Sequence, residues 1–119
     1  MKKTLVLGAS TNPSRYANLA IHRLTAAGHP VVAVGIRKGV VAGIEITSEK
    51  KPFDHIHTVS LYLSVKHQPE YYDYILSLKP KRVIFNPGTE NEAFYTLLAE
   101  NNIKAEVACT LVLLGTNQY

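Results

Sequence analysis

The chain has 119 residues, 46% hydrophobic and 18% charged, with one cysteine and a formal charge of +4. That length suits one domain with a real core and is too short for a separate catalytic lobe. No apolar run approaches the ~20 residues that span a bilayer, and one cysteine excludes an internal disulfide.

The basic start Met1-Lys2-Lys3 leads into an apolar stretch too short for a secretion signal, so a cytoplasmic protein without membrane association is expected. Charge is uneven along the chain. Residues 1–50 hold seven Lys and Arg against two Glu, whereas the remainder is close to balanced, with six basic and seven acidic residues. The first half is therefore where an anionic ligand is expected. There is no basic run or basic–aromatic stripe, and a nucleic-acid partner is not expected.

Thr4 to Ala9 is a nearly continuous apolar run, as in a strand buried on both faces. Gly8-Ala9-Ser10-Thr11 then forms a sharp turn, with Asn12 as helix cap and Pro13 at the first helical position. Tyr16, Leu19, Ala20, Leu24 and Ala27 follow helical spacing, and Gly28 stops the helix. Val31 to Gly35 is a second strand. Residues 36–52 read as mostly irregular, with a short strand near Ile44 to Ile46. His57 to Leu63 is the third strand, and Pro69 to Leu78 a helix ended by Lys79-Pro80.

Arg82 to Asn86 is the fourth strand, closed by Pro87-Gly88. Thr89 and Glu92 have capping-box spacing and open a helix that ends near Asn101-Asn102. Ile103 to Ala108 is the fifth strand, and Cys109 to Leu114 reads as a short apolar helix or an extended tail. Strands alternating with helices at this spacing predict an α/β fold with three layers, a five-stranded parallel sheet with helices on both faces. Ligands of such sheets bind beyond the C-terminal strand ends, where strand order reverses.

The first of those ends carries a reduced dinucleotide fingerprint. Gly8 fills the first glycine, but Ser10 and Pro13 stand where the second and third belong. A strand that turns into a helix still offers backbone N–H groups and the positive end of a helix dipole to a phosphate, and Ser10 and Thr11 add hydroxyls. After strand two an NAD site needs a carboxylate for the ribose. Here Gly35-Ile36-Arg37-Lys38-Gly39 supplies two cations, which suit a ribose phosphate as in NADP or coenzyme A.

No reaction centre emerges from the sequence. Tyr62-x-x-x-Lys66 has the spacing of a dehydrogenase Tyr–Lys pair, but that pair belongs on a long helix and Tyr62 falls in a strand. His55, His57 and His67 lack a Cys or carboxylate cluster to complete a metal site. Cys109 reads as a buried structural thiol.

Over nearly its whole length the chain resembles the small stand-alone CoA-binding proteins related to the CoA-binding domain of the succinyl-CoA synthetase α subunit. The matching pieces are Val6-Leu7-Gly8-Ala9-Ser10 with Asn12-Pro13-Ser14-Arg15-Tyr16, Gly28-His29, Phe85-Asn86-Pro87-Gly88-Thr89-Glu90-Asn91 and Cys109-Thr110-Leu111-Val112. The resemblance implies a Rossmann-like fold. It also implies CoA phosphates held by Gly8, Ala9, Ser10, Thr11, Asn12, Arg15 and Tyr16, and a further phosphate met by Arg37 or Lys38. The adenine and pantetheine would be flanked by Leu61, Tyr62, Leu63, Asn86, Pro87 and Gly88.

The phosphohistidine and nucleotide-grasp machinery of the enzyme relatives has no room in this chain, so thiokinase activity is not implied. Three readings follow: a binding module for CoA or an acyl-CoA, an NADP-binding module or small reductase, and an interaction domain with a vestigial site and a protein partner.

Overall fold

The computed structural model describes all 119 residues. In chain order its elements are β1 (Thr4–Leu7), α1 (Tyr16–Ala26), β2 (Val31–Val34), β3 (Gly39–Val41), β4 (Ile44–Thr47), β5 (Thr58–Leu61), α2 (Tyr72–Leu78), β6 (Arg82–Phe85), α3 (Glu92–Glu100), β7 (Lys104–Val107) and α4 (Thr110–Gly115). Two short 3-10 turns, Val65–His67 and Pro69–Tyr71, precede α2.

β1 is buried along its whole length and is central in one seven-stranded sheet of order β3-β4-β2-β1-β5-β6-β7. Every neighbouring pair is parallel except β3 with β4. Side chains alternate between two apolar layers, as the period of a strand requires. Leu5 and Leu7 join Val59, Leu61, Val83 and Phe85 in a core with Ile75, Phe94 and Leu98 from α2 and α3. Val6 joins Ala33 and Ile46 under Ala17, Ile21 and Leu24 of α1. Full burial of each large side chain stabilises the fold by about 1.5–3 kcal/mol.

The α/β architecture with helices on both faces is as expected, but the sheet has seven strands rather than five. The additional pair lies in residues 36–52, where the sequence reads as mostly irregular. Val41 and Ile44 pair across a two-residue turn in which Ala42 and Gly43 both have positive φ, 51° and 78°. Two such residues match the right-handed twist of the flanking strands. Ala42 lacks the Asn or Asp signature of that turn, which hid the hairpin. β4 then pairs parallel with β2, so the six parallel strands run outward from β1 in two directions, and the order reverses between β1 and β5.

Helix starts also differ from expectation. α1 begins at Tyr16, not Pro13, because Asn12 is engaged in a local turn. Its Oδ1 accepts from the Ser14 N–H and hydroxyl, at 3.0 and 2.8 Å, and its carbonyl accepts from Arg15 N. Such side-chain bonds compete with helix propagation. Tyr16, at helical spacing with Leu19, Ala20 and Leu24, is 74% exposed.

The cap of α3 is Asn91, whose Oδ1 accepts from Phe94 N, whereas the Thr89 hydroxyl donates to the Asn86 carbonyl. Glu92 is therefore a first-turn residue facing the helix dipole rather than part of a capping box. The expected helix from Pro69 is a 3-10 turn continuing into α2 from Tyr72, and the segment after Cys109 is the helix α4.

At the N-terminal ends of β1, β5 and β6 the second face is polar. Thr4, Thr58 and Arg82 are buried there and are closed over by Tyr119. The Tyr119 hydroxyl meets Thr4 Oγ1 at 2.5 Å, its ring lies 4.6 Å from the Arg82 guanidinium, and Lys2 Nζ donates to its carbonyl. Arg82 also bonds Thr58 Oγ1 and pairs with Glu106 at 3.2 Å. No helix is long and apolar enough to cross a membrane.

Candidate functional site

Three loops converge where strand order reverses. Gly8 has φ +94°, and a Cβ there would meet the backbone of Tyr62 and Leu63 at 3.0–3.2 Å. Only glycine lets the loop after β1 lie against the loop after β5. A Cβ on Gly35 would come within 2.3 Å of the Ala9 carbonyl, and one on Gly39 equally close to Thr11 Cγ2. The loop after β2 is thus pressed on the first turn at both its ends, and Arg37 and Lys38 project between those two points, exposed and in no ion pair.

The backbone N–H groups of the turn divide into those bonded within the protein and those left free. Gly8 N and Ala9 N both donate to the Val34 carbonyl, at 2.9 and 3.0 Å. Asn12 N donates to Ser10 Oγ, and Ser14 N to Asn12 Oδ1. The N–H groups of Ser10, Thr11, Tyr16 and Ala17 have no acceptor in the protein. Two of these open α1, whose first turn contains no acidic residue and whose cap is Arg15. Uncommitted donors at the positive end of an eleven-residue helix, beside exposed cations, favour a phosphate. Asn18, buried on α1, ties the turn down by donating to the Ser10 carbonyl at 3.0 Å.

The residues after β5 and β6 have more varied placements. Leu61 is fully buried in the core, so it presents only backbone to the crevice. Leu63 is half-buried against the same core. Tyr62 packs over the second apolar layer with Leu114 and Tyr119, and its hydroxyl is buried without a hydrogen-bond partner. Burial raises the Tyr62 pKa above its ordinary value, opposed by the nearby hydroxyls of Ser60 and Thr110.

Asn86 is buried and fully committed. Its Nδ2 donates to Ser60 Oγ and to the Leu61 carbonyl, both at 3.0 Å, and its Oδ1 accepts from Thr110 N at 2.8 Å. It anchors Pro87 and Gly88, which are exposed, and Gly88 has φ +93° with open space beside it. Glu90 folds back to accept from Gly88 N at 2.8 Å.

Not every cation of the first half lies here. Lys2 and Lys3 precede β1 and Arg23 lies in the last turn of α1, so all three are at the opposite end of the sheet. Surface cavities of about 310 Å³, beside Lys79, Lys81 and Asn102, and about 430 Å³, beside Lys2, His29 and Tyr119, are also at that end. Helix C-termini gather there and attract cations. His55, His57 and His67 do not gather with other ligating side chains, and His57 Nδ1 lies 2.8 Å from Thr58 Oγ1. Cys109 is free and half-buried rather than buried. Gln68, Asn91 and Thr110 tie these loops together; Asn91 and Thr110 lie in the matching motif pieces, whereas Gln68 has no signal in the sequence because a buried amide in a loop has no periodic signature.

Residues 2–115 match the family described as the CoA binding domain. No curated protein matches the chain. Among solved structures, an uncharacterized protein is 50% identical with a TM-score of 0.98, the match covering all of this chain and 98% of that one. A hypothetical protein from Pyrococcus horikoshii OT3 is 24% identical with a TM-score of 0.87, over 98% of this chain and 83% of that one. The dinucleotide forming acetyl-coenzyme A synthetase 1 of Ca. Korarchaeum cryptofilum, in complex with phosphate and ADP, is 13% identical with a TM-score of 0.75. There the match covers 92% of this chain and 26% of the synthetase, and at that identity the likeness is one of fold. Extent of match and architecture agree: the chain belongs to the CoA binding domain family.

Proposed function

We propose that this protein is a binding module for coenzyme A or an acyl-CoA and catalyses no reaction alone. The observation that carries the reading is the set of four uncommitted N–H groups, on Ser10, Thr11, Tyr16 and Ala17, at the strand-order reversal of a CoA binding domain. The pyrophosphate sits on these donors, with the Ser10 and Thr11 hydroxyls and Asn12 around it and Arg15 supplying charge. Arg37 and Lys38, held beside the turn by Gly35 and Gly39, take the phosphate on the ribose. The pantetheine arm then passes between Tyr62–Leu63 and Asn86–Gly88.

Calorimetric titration with CoA, acetyl-CoA, dephospho-CoA and NADPH tests this. CoA and acetyl-CoA are expected to bind, and dephospho-CoA more weakly, because it lacks the group assigned to Arg37 and Lys38. Absence of CoA binding at millimolar ligand removes the reading. Binding of NADPH that CoA does not displace replaces it with an NADP module, for which the same two cations would serve.

A further inference from the structure

Beyond the last paired residues of β5 and β6, Leu61 and Phe85, no backbone hydrogen bond joins the loop after β5 to the loop after β6. Side chains hold them together instead. Asn86 does so at the base, through the Leu61 carbonyl. Further out the tie is Gln68, fully buried between the two 3-10 turns. Its Nε2 donates to the Leu63 carbonyl at 2.9 Å and to the Thr89 carbonyl at 2.8 Å, one on each loop. Its Oε1 accepts from Asn91 Nδ2 at 2.8 Å. Asn91 in turn donates to the Tyr72 hydroxyl at 2.8 Å and caps α3.

This arrangement accepts only an amide of this length. A carboxylate cannot donate to two carbonyls, and a thioether of equal length can donate to neither. Every polar atom of the Gln68 side chain is used, and removing it leaves two carbonyls on opposite loops with no donor between them.

We propose that Gln68 is a positioning residue that sets the separation of these two loops and thereby selects for the pantetheine arm of the ligand, independently of the nucleotide end. This rests on the reading above that the arm runs between the two loops. Gln68 touches no ligand atom; it acts through the carbonyls of Leu63 and Thr89. The nucleotide end is held by the Gly8–Ala17 turn and the Arg37–Lys38 loop, which have no bond to Gln68.

The test titrates CoA and adenosine 3′,5′-bisphosphate, which has the nucleotide end but no arm, into the wild type, Gln68→Met and Tyr72→Phe. Gln68→Met is expected to lose about ten-fold in CoA affinity, because the loops no longer hold their separation, and to bind the bisphosphate as the wild type does. Tyr72→Phe, which removes only the outer bond of Asn91, is expected to lose about two- to five-fold for CoA alone. A purely structural role would weaken both ligands in proportion to the folded fraction. Equal loss for both ligands, or no loss for CoA, in folded Gln68→Met overturns the proposal, and Tyr72→Phe decides by the same criterion if Gln68→Met does not fold. A wild type that binds neither ligand overturns the CoA reading itself, and the proposal with it. A wild type that binds both, beside a Gln68→Met that also binds both unchanged, overturns the proposal alone.

Discussion

Asn86 offers the sharpest test of how the site is built. Truncation to alanine removes three hydrogen bonds at once: two donated, to Ser60 Oγ and the Leu61 carbonyl, and one accepted from Thr110 N. Ser60 and Thr110 keep each other, their hydroxyls being 2.8 Å apart. The Leu61 carbonyl and the Thr110 N–H lose their partners in a region where Ser60, Leu61 and Thr110 are all fully buried. Each orphaned buried group costs about 1–3 kcal/mol, so Asn86→Ala is expected to destabilise by about 3–4 kcal/mol.

That is a large share of the ~5–15 kcal/mol that stabilises an ordinary domain, and it corresponds to a fall in Tm of about 12 °C at this chain length. Asn86→Asp should cost at least as much at neutral pH. A carboxylate keeps the acceptor for Thr110 N but presents a charge to the Leu61 carbonyl in place of a donor. Part of its cost should be recovered on acidification, because the introduced group's pKa is raised by burial and protonation restores one donor. Urea denaturation of the three proteins at neutral and acidic pH measures both effects. A cost below about 1 kcal/mol for Asn86→Ala would show that the clamp does not hold α4 and the loop after β6 together.

Two further perturbations separate effects that usually travel together. Gly8 and Gly88 have nearly the same positive φ, 94° and 93°, but a Cβ on Gly8 meets the Tyr62 backbone at 3.0 Å whereas one on Gly88 meets nothing. Gly88→Ala should therefore cost about 1 kcal/mol for backbone strain alone, and Gly8→Ala about 2–3 kcal/mol or more, with equal values by urea denaturation arguing against the close loop approach. Tyr62→Phe removes a buried hydroxyl that has no partner, so it should be neutral or stabilising by up to about 1 kcal/mol. A comparable destabilisation would mean that the hydroxyl is bonded through Ser60 or Thr110 after all.

What the sequence disclosed and what it hid divide along physical lines. The apolar run Thr4–Ala9 and the regular alternation of strands and helices report on burial and periodicity, which one sequence carries, and the mostly parallel sheet follows from them, whereas the strand order is set by the fold. The β3–β4 hairpin was hidden because Ala42 is a poor advertisement for a positive φ. The helix starts differ from those expected at Asn12 and Thr89 because both residues can cap, and what they bond instead depends on neighbours brought by the turn itself. The bonds of Gln68, Asn91 and Thr110 are hidden for a stronger reason: their partners are up to 24 residues away and are chosen by the fold.

The same distinction changes how the turn proposed to hold phosphate is built. Read from sequence, the glycine turn is a source of backbone donors, and Gly8 and Ala9 head the set. In the folded chain those two N–H groups are spent on the Val34 carbonyl, holding the turn to β2. The glycine's work is to let Tyr62 and Leu63 come close. The donors left for an anion begin two residues later, at Ser10 and Thr11, and resume at Tyr16 and Ala17, where Pro13 and the Asn12 turn have delayed the helix start. A helix beginning at Pro13 would have pointed its free N–H groups elsewhere, and Pro13 itself would have supplied none. The delay caused by Asn12 thus places the end of α1, with its dipole and two free donors, in the same turn as Ser10 and Thr11 and next to the loop that carries Arg37 and Lys38.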